Sequence, residues 1–283
     1  MIYRLSPSDL TFLYDGCKHC FVLKVKHGIA QPSIPLPGIF NTITLLQKEL
    51  YSGKRTESIC DGPPPGVVRY GELQVRSSMI SSPGCESACF ISGRFDIVAE
   101  LDDHSYGVFD FKTGRPNDEK ARMYGRQLHA YAVALERPAD GALALRPVSS
   151  LGLLYFTPDR CAQPAPRRQL LEGEMQWQSV QRDDAAFFSF LTELVKLLDG
   201  PMPPMEPDHC DWCAYRQRMG QAEGAATVPW VPASDSPACP VCSGRMRRRS
   251  GKFGEFWSCL NFPACKGTRN ISRAAEQKPG PVS

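Results

Sequence analysis

The apolar residues of the chain follow a helical period in some segments and a strand period in others. Apolar side chains recur every three or four residues in segments 6–27 and 183–199, which predicts amphipathic helices there. Residues 39–52 fit another helix, and Asn117 is a suitable N-cap for a helix that ends near Arg137. The strand period predicts four strands, at 90–101, 105–114, 150–157 and 169–180. Helices interspersed with strands in this order indicate a mixed α/β core.

The segment 220–237 differs in composition from the chain on either side of it. It is rich in small residues and proline, which is typical of an interdomain linker. We therefore predict a larger domain over residues 1–219 and a small module over residues 238–270. Residues 271–283 are predicted to form a disordered tail.

The charge of the chain is concentrated at its C-terminal end. The formal net charge is only +3. From Cys239 onward, however, nine Lys and Arg residues stand against Glu255 and Glu276, a local charge of +7. The rest of the chain then carries −4, so an acidic body is joined to a strongly basic end. Such a distribution predicts that the C-terminal module binds a polyanion.

Cysteine content and hydropathy restrict the compartment. No run of 18 apolar residues is present, which excludes a membrane-spanning helix. The first residues lack the apolar segment of a secretory signal. The chain contains 12 cysteines, several of them in C-x-x-C pairs. In a reducing compartment such pairs predict metal binding rather than disulfides, so we expect a cytoplasmic protein.

Three charged residues interrupt the apolar strand segments 90–101 and 105–114. Asp110 and Lys112 lie two residues apart, so their side chains point to the same face of a strand. If the two segments pair, Asp96 can join that face. Two carboxylates and an ammonium suit metal-assisted phosphodiester hydrolysis, because hard divalent cations prefer carboxylate oxygens. A surface ion pair of little energetic value is the competing interpretation.

The motifs GRFD and FDFKTG, followed by Gln127 and Tyr131, resemble the PD-(D/E)xK nuclease superfamily in its RecB-like branch. The resemblance covers about residues 5–216 and implies a restriction-endonuclease-like mixed sheet flanked by helices. It also implies that Asp96 and Asp110 bind Mg²⁺ or Mn²⁺ and that Lys112 is catalytic. In that family, the residues corresponding to Gln127 and Tyr131 help to position the DNA or the active site.

The sequence departs from this family at one metal ligand. Many RecB-like members carry a histidine ligand in the helical region before the sheet, but this chain has none between His27 and His104. Glu72 is the preferred substitute as the third ligand, with Asn41 and Glu49 as the other candidates. The departure leaves open whether the site is catalytically active.

Two C-x-x-C pairs lie almost 200 residues apart, Cys17 with Cys20 and Cys210 with Cys213. Together they can supply four thiolates to one metal centre. Several RecB-like nucleases hold a [4Fe–4S] cluster with one early and three late cysteines. The two-and-two division in this chain leaves Zn²⁺ equally open, because four thiolates suit both. Unligated cysteines within helices are the alternative.

Four further cysteines, Cys239, Cys242, Cys259 and Cys265, form a second pattern near the C-terminus. Their spacing predicts a tetrahedral Zn²⁺ site. A module of about 30 residues is too small to bury a core, so the metal would stabilise its fold. The segment resembles the zinc ribbon at the C-terminus of type IA DNA topoisomerases.

Basic and aromatic residues alternate within this module. Aromatic rings can stack on unpaired bases while cations hold phosphates, so we predict binding to single-stranded or frayed DNA. The residues predicted to contact nucleic acid are Arg247, Arg248, Arg249, Lys252, Phe253, Phe256 and Trp257. A purely structural or protein-binding ribbon is the alternative.

Taken together, the motifs favour a metal-dependent DNA nuclease of RecB-like type, with a role in DNA repair or processing. A second hypothesis is a catalytically inactive DNA-binding protein that keeps the nuclease fold as a scaffold. A third is a module of a repair complex whose ribbon binds protein.

Overall fold

The computed structural model describes residues 1–32, 38–225, 237–244, 246–251, 254–261 and 265–270. The chain divides into two compact units, Met1–Gln221 and Ala222–Ser283. The predicted tail at 271–283 and most of the predicted linker lie outside the described residues. None of the helices in the described ranges combines the length and the hydropathy of a membrane-spanning segment.

The first unit contains the predicted mixture of helices and strands. Its helices are α1 (Phe12–Gly16), α2 (Lys18–His27), α3 (Gly38–Tyr51), α4 (Asp118–Glu136) and α5 (Asp184–Asp199), and α6 (Asp211–Ala225) follows them. Short 3₁₀ turns lie at Pro7–Leu10 and Thr56–Ser58. Its strands are β1 (Ile2–Leu5), β2 (Gly66–Gly71), β3 (Gln74–Arg76), β4 (Ile80–Ser81), β5 (Ala88–Arg94), β6 (Ile97–Leu101), β7 (Tyr106–Thr113), β8 (Val148–Ala165) and β9 (Arg168–Val180).

A five-stranded sheet in the order β2-β6-β7-β8-β9 forms the centre of this unit. Strand β7 is antiparallel to β6 and parallel to β8, and α4 connects the two parallel strands. One face of the sheet packs against α4 and α5, and the other contains Phe109 and Phe111 near Tyr51 of α3. Because both faces of β7 are covered, its residues 107–111 are buried. The mixed α/β fold predicted from the sequence is therefore confirmed.

A second, smaller sheet has the order β1-β5-β3, with β4 also paired to β5. The predicted strand 90–101 is consequently wrong as one element, because β5 lies in this sheet and β6 in the central one. Phe95 and Asp96 lie between the two strands, where the chain passes from one sheet to the other. Because of this change of sheet, Asp96 lies between two strands and not within one.

The predicted helix over 6–27 is also divided. A 3₁₀ turn and α1 precede Cys17, whose extended backbone (φ −167°, ψ 114°) separates α1 from α2. The Cys17 Sγ accepts a hydrogen bond of 3.5 Å from the Cys20 N–H, so it caps α2. Helix α6 extends to Ala225, into the predicted linker, because this part of the linker is rich in helix-forming Ala, Gln and Glu.

The second unit contains a three-stranded antiparallel sheet in the order β10-β11-β12. Its strands are β10 (Met246–Gly251), β11 (Gly254–Cys259) and β12 (Thr268–Asn270). The buried apolar cluster of this unit consists mainly of cysteines, together with Met246 and Trp257. A core this small cannot stabilise a fold by apolar burial alone, which agrees with a structural role for a metal.

Candidate active site and cysteine centres

Asp110 lies on the central strand β7 and is buried, with 4% of its surface exposed. Strand alternation directs Phe111 to the opposite face, as predicted, so Asp110 and Lys112 share the face that packs against α4. The Asp110 Oδ2 forms an ion pair of 2.5 Å with Lys112 Nζ. Apart from this ammonium, the oxygen has no polar partner within the part of the chain that the structure describes. A buried carboxylate oxygen in this condition suits coordination of a cation.

Asp96 is brought to this site by the turn between β5 and β6. The ladder between β6 and β7 begins at Ile97, opposite Phe109. Beyond that pair, Asp96 Oδ2 accepts a hydrogen bond of 3.0 Å from the backbone N–H of Phe111. The Asp96 carboxylate thus takes the place of the next backbone acceptor of the β6–β7 ladder. It therefore lies beside Phe111, the residue between Asp110 and Lys112.

Glu72 is linked to the same site by Lys48, a residue that the sequence motifs did not indicate. Lys48 of α3 forms ion pairs with Glu72 and, at 2.5 Å, with Asp96 Oδ1. The Glu72 backbone N–H also donates to the Asp96 carbonyl at 3.1 Å. The other two candidates for a third ligand, Asn41 and Glu49, are exposed on α3. Of the three, Glu72 is therefore the one that the structure brings close to Asp96.

The pKa values of this cluster reflect burial and mutual charge. Burial raises the pKa of Asp110 to about 6, and the negative charge of Asp96 adds to the rise. The ammonium groups of Lys112 and Lys48 act in the opposite direction. Burial lowers the pKa of Lys48, but its contacts with Asp96 and Glu72 outweigh this and raise it. The five charged groups therefore interact as one cluster.

Gln127 and Tyr131 lie on one face of α4, as their spacing predicts, and both support the carboxylates. Gln127 Nε2 donates to Asp110 Oδ1 at 3.1 Å and to the Tyr131 hydroxyl at 3.4 Å. The Tyr131 hydroxyl in turn donates to the Arg94 carbonyl at 2.7 Å, at the end of β5. Asn117 caps this helix by accepting from the Lys120 N–H, as predicted.

The four cysteines that are distant in sequence converge in the first unit. Cys213 Sγ lies 3.6 Å from Cys17 Sγ and 3.7 Å from Cys20 Sγ. Cys20 Sγ lies 3.8 Å from Cys210 Sγ, and all four sulfurs are within 4.8 Å of one another. Their side chains are buried, so this tetrad fits metal binding and joins the two ends of the unit.

The second unit contains another tetrad that fits metal binding. Cys239 Sγ lies 3.7 Å from Cys265 Sγ, and Cys242 Sγ lies 3.5 Å from Cys259 Sγ. Backbone N–H groups of Val241 and Asn261 donate to two of these sulfurs, both at 3.4 Å. Such hydrogen bonds stabilise thiolates, the form in which cysteine binds a metal.

Gly267 is required by this tetrad, although the cysteine spacing did not indicate it. A Cβ at this position would lie 2.2 Å from Cys239 Sγ. Gly267→Ala is therefore expected to displace Cys239 and to lower the zinc content of the second unit, as measured by native mass spectrometry. Thr268→Ala, at the exposed neighbouring position, is the matched control and should keep full zinc content. Equal zinc content in both variants would contradict this requirement.

The strand register of the second unit separates its predicted DNA-contacting residues into two groups. Phe256 pairs with Arg249, so the two side chains share one face of the sheet. Trp257 lies on the opposite face and packs against the cysteine cluster, so part of its ring belongs to the core. Arg247 is exposed. The side chain of Arg248 and the whole of Lys252 and Phe253 lie outside the described residues.

Lys48 is the main site residue that sequence reasoning missed. It lies three residues before Tyr51, which places both side chains on one face of α3. Tyr51 stacks on Phe111 with ring centroids 6.1 Å apart, and this packing turns that face towards β7. The sequence shows that Lys48 and Tyr51 share one face of a helix. It does not show that this face packs against β7.

Comparisons with known proteins agree with this geometry. Residues 63–218, more than half of the chain, match the PD-(D/E)XK nuclease superfamily. Residues 237–274 match the topoisomerase DNA binding C4 zinc finger.

Similar individual proteins match shorter parts of the chain. A DNA topoisomerase 1 of Campylobacter jejuni is 46% identical over 41 residues, which are 14% of this chain and 6% of the relative. A DNA topoisomerase 1 of Mycoplasmoides gallisepticum is 27% identical over 86 residues, 30% of this chain and 12% of the relative. The chain thus spans only a small part of the curated relatives that it matches.

One solved structure, that of SSO0001, aligns with 73% of this chain and 82% of its own at a TM-score of 0.44 and 16% identity. That similarity is too low to support an inference about fold or activity. The matches over residues 63–218 and 237–274 do not depend on it. The chain therefore belongs to the PD-(D/E)XK nuclease superfamily and carries a topoisomerase-type DNA-binding zinc finger near its C-terminus.

Proposed function

We propose that this protein is a divalent-metal-dependent deoxyribonuclease of RecB-like type, which hydrolyses phosphodiester bonds in DNA repair or processing. The observation that carries the proposal is the condition of Asp110. This buried carboxylate is ion-paired with Lys112, and apart from that ammonium its Oδ2 has no polar partner within the described ranges. A buried charge of this kind costs stability, and groups with such a cost are concentrated at functional sites.

The residues around Asp110 have separate roles in such a reaction. Gln127 fixes Asp110 through Oδ1, which leaves Oδ2 directed towards Lys112 and the site. The Phe111 N–H fixes Asp96 through Oδ2, which leaves Oδ1 free of that bond. Each carboxylate is therefore held by one oxygen and presents the other. Asp96 and Asp110, with Glu72 as a third ligand, would hold Mg²⁺ or Mn²⁺.

When bound there, a divalent cation neutralises phosphate charge and makes water a stronger nucleophile. Lys112 supplies the second positive charge. Its Nζ lies 4.0 Å from the centroid of the Tyr124 ring, which restricts where the ammonium can move. From this position Lys112 can donate to a phosphoryl oxygen or orient the attacking water, and it stabilises the charge that develops in the transition state.

A cleavage assay with the full-length chain tests this proposal. We expect end-labelled single-stranded DNA to be cut when Mg²⁺ or Mn²⁺ is added and to stay intact when both are omitted. Lys112→Met should remove the activity, because the transition-state charge then loses its donor. Lys120→Met changes an exposed lysine of α4 and should cut as fast as the wild type. Cleavage by Lys112→Met at the wild-type rate would contradict a catalytic role for Lys112.

A catalytically inactive, DNA-binding scaffold is the second candidate, and one observation favours it. The ammonium of Lys48 already contacts Asp96 and Glu72, two of the three carboxylates that a metal would need. In that case the protein would bind DNA but would not cleave it under any metal condition of the assay.

We propose that the split cysteine centre binds a single Zn²⁺ ion. Four thiolates at about 2.3 Å from one tetrahedral Zn²⁺ lie about 3.8 Å from one another. The closest sulfur pairs of the centre are 3.6 to 3.8 Å apart. A [4Fe–4S] cluster binds each cysteine to a different iron and therefore holds the sulfurs further apart. The observed spacing thus supports zinc over iron–sulfur.

The C-terminal zinc finger would hold DNA for the nuclease unit. Its basic residues would contact phosphates, and the half-buried Phe256, beside Arg249, offers a ring for stacking on an unpaired base. These features support a preference for single-stranded or frayed DNA. The proposed location of the protein is the cytoplasm, where such cysteines stay reduced.

A further inference from the structure

Lys48 lies between two carboxylates at the candidate active site. It projects from α3 and forms ion pairs with Glu72 and with Asp96 Oδ1. Only 11% of its side chain is exposed, and the Asp96 side chain is 19% exposed. Removal of one partner from an ion pair that is shielded from water to this degree leaves a buried charge without compensation, which is strongly destabilising. Lys48 therefore neutralises much of the negative charge of this part of the site.

The two oxygens of Asp96 have different partners. Oδ2 accepts the Phe111 N–H, which ties it to the backbone of β7. Oδ1 is the oxygen that Lys48 contacts, at 2.5 Å. Because Oδ2 is engaged by the backbone, Oδ1 is the oxygen that Asp96 can offer to a metal. A metal ion and the Lys48 ammonium would therefore bind at the same oxygen, where their positive charges repel each other.

Glu72 is held towards Lys48 by a backbone conformation that is unfavourable for glutamate. Its φ is +56°, in the left-handed region that non-glycine residues seldom adopt. Such conformations persist where the surroundings hold them, and they occur often at functional sites. Here the Glu72 N–H bonds to the Asp96 carbonyl, and Arg94 lies 3.6 Å from the second Glu72 oxygen. The backbone therefore holds Glu72 beside Asp96.

We infer that Lys48 competes with the divalent cation at this site. In the metal-free protein its ammonium pairs with Asp96 Oδ1, and it is displaced when a divalent cation binds. The inference rests on the proposed function, because it assumes that Asp96 and Asp110 bind the metal. It explains how three carboxylates stay close together without a metal, since like charges would otherwise repel. It also explains how the enzyme can be active although Lys48 contacts two of the proposed metal ligands.

Binding of Mn²⁺ to the full-length, zinc-loaded protein tests this inference without an activity measurement. Titration followed by electron paramagnetic resonance reports free Mn²⁺, and Asp110→Asn provides the background from other sites. Lys48→Met should bind Mn²⁺ at least about tenfold more tightly than the wild type, because no ammonium competes. Lys48→Gln keeps a hydrogen-bond donor without the charge, so it serves if Lys48→Met does not fold. Lys54→Met changes an exposed lysine just after α3 and is the matched control.

A thermal scan gives an independent readout. Without Mn²⁺, Lys48→Met should unfold at a lower temperature than the wild type, because Glu72 and Asp96 lose their counter-charge. Saturating Mn²⁺ should then raise its Tm by more than it raises that of the wild type.

The outcomes separate this inference from the proposed function. Unchanged or weaker Mn²⁺ affinity in both Lys48 variants, with Asp110-dependent binding in the wild type, would overturn the role of Lys48 alone. Tighter binding that persists after Asp110→Asn would overturn it as well, because the metal would lie elsewhere. The absence of Asp110-dependent Mn²⁺ binding from every protein would contradict the proposed function itself.

Discussion

Asp110→Asn is expected to lower the rate of metal-dependent DNA cleavage at least about 1000-fold, because the metal loses a charged ligand. Asparagine keeps the shape of the side chain and can still accept a hydrogen bond from Gln127. The loss should therefore appear in catalysis and not in the fold. Cleavage is measured with end-labelled DNA in Mg²⁺, and circular dichroism verifies the folded state.

The same substitution should stabilise the metal-free protein at neutral pH. Folding raises the pKa of Asp110 from about 3.9 in an unfolded chain to about 6, so the folded state holds its proton more tightly. Below pH 4 the group is protonated in both states and costs nothing. As pH rises from about 4 to 6 the unfolded state loses the proton first, which destabilises the fold by up to roughly 3 kcal/mol. Asp110→Asn should remove this cost above pH 6 and change little below pH 4.

Thermal unfolding across this pH range, with divalent cations omitted, measures the effect. Asp140→Asn replaces an exposed aspartate in the loop after α4 and should leave both activity and the pH dependence unchanged. An Asp110→Asn variant that cleaves DNA at the wild-type rate would exclude Asp110 from the catalytic site. A variant that is destabilised equally at every pH would show that packing, and not desolvation of a charge, dominates at this position.

Cys213→Ser is expected to remove one Zn²⁺ from the protein and to lower the Tm of the first unit by more than about 10 °C. Cys213 is fully buried, and its sulfur lies within 3.7 Å of both Cys17 and Cys20. A structural zinc site contributes about 10 kcal/mol or more of apparent binding energy. Loss of even about 5 kcal/mol corresponds to roughly 10–20 °C in a unit of this size.

Metal analysis of anaerobically purified protein accompanies this experiment. The wild type should contain two zinc ions per chain, one for each tetrad, and Cys213→Ser should contain one. Cys161→Ser, at an exposed cysteine outside both tetrads, should keep both ions and the wild-type Tm. A brown protein that absorbs near 400 nm and contains iron would instead show that the split centre holds an iron–sulfur cluster.

Several parts of the site could be predicted because they depend on short-range geometry. The alternation of a strand places Asp110 and Lys112 on one face, and the helical repeat places Gln127 and Tyr131 on another. Asn117 caps α4 because its side chain reaches the N–H three residues later. Each of these relations spans at most four residues, so no knowledge of the packing is needed.

Other parts could not be predicted because they depend on which surfaces meet. The segment 90–101 has the pattern of one strand, but its halves pair with partners in two different sheets. Lys48 enters the site only because Tyr51 packs on Phe111, and Gly267 matters only because Cys239 lies against it. None of these contacts has a local signature in the chain.

The sequence motifs thus determined which side chains can bind metal or substrate: the carboxylates, the lysine and the two sets of thiolates. Their spacing within a strand, a helix or a C-x-x-C pair also specified their direction over a few residues. Tertiary packing decided which of these groups meet, since Asp96, Glu72 and Lys48 converge through contacts between separate elements. It also decided that two carboxylates of the site, Asp96 and Glu72, contact Lys48, while the Oδ2 of buried Asp110 contacts Lys112. The physical reason is that local geometry follows from backbone periodicity, whereas burial and charge compensation depend on the whole fold.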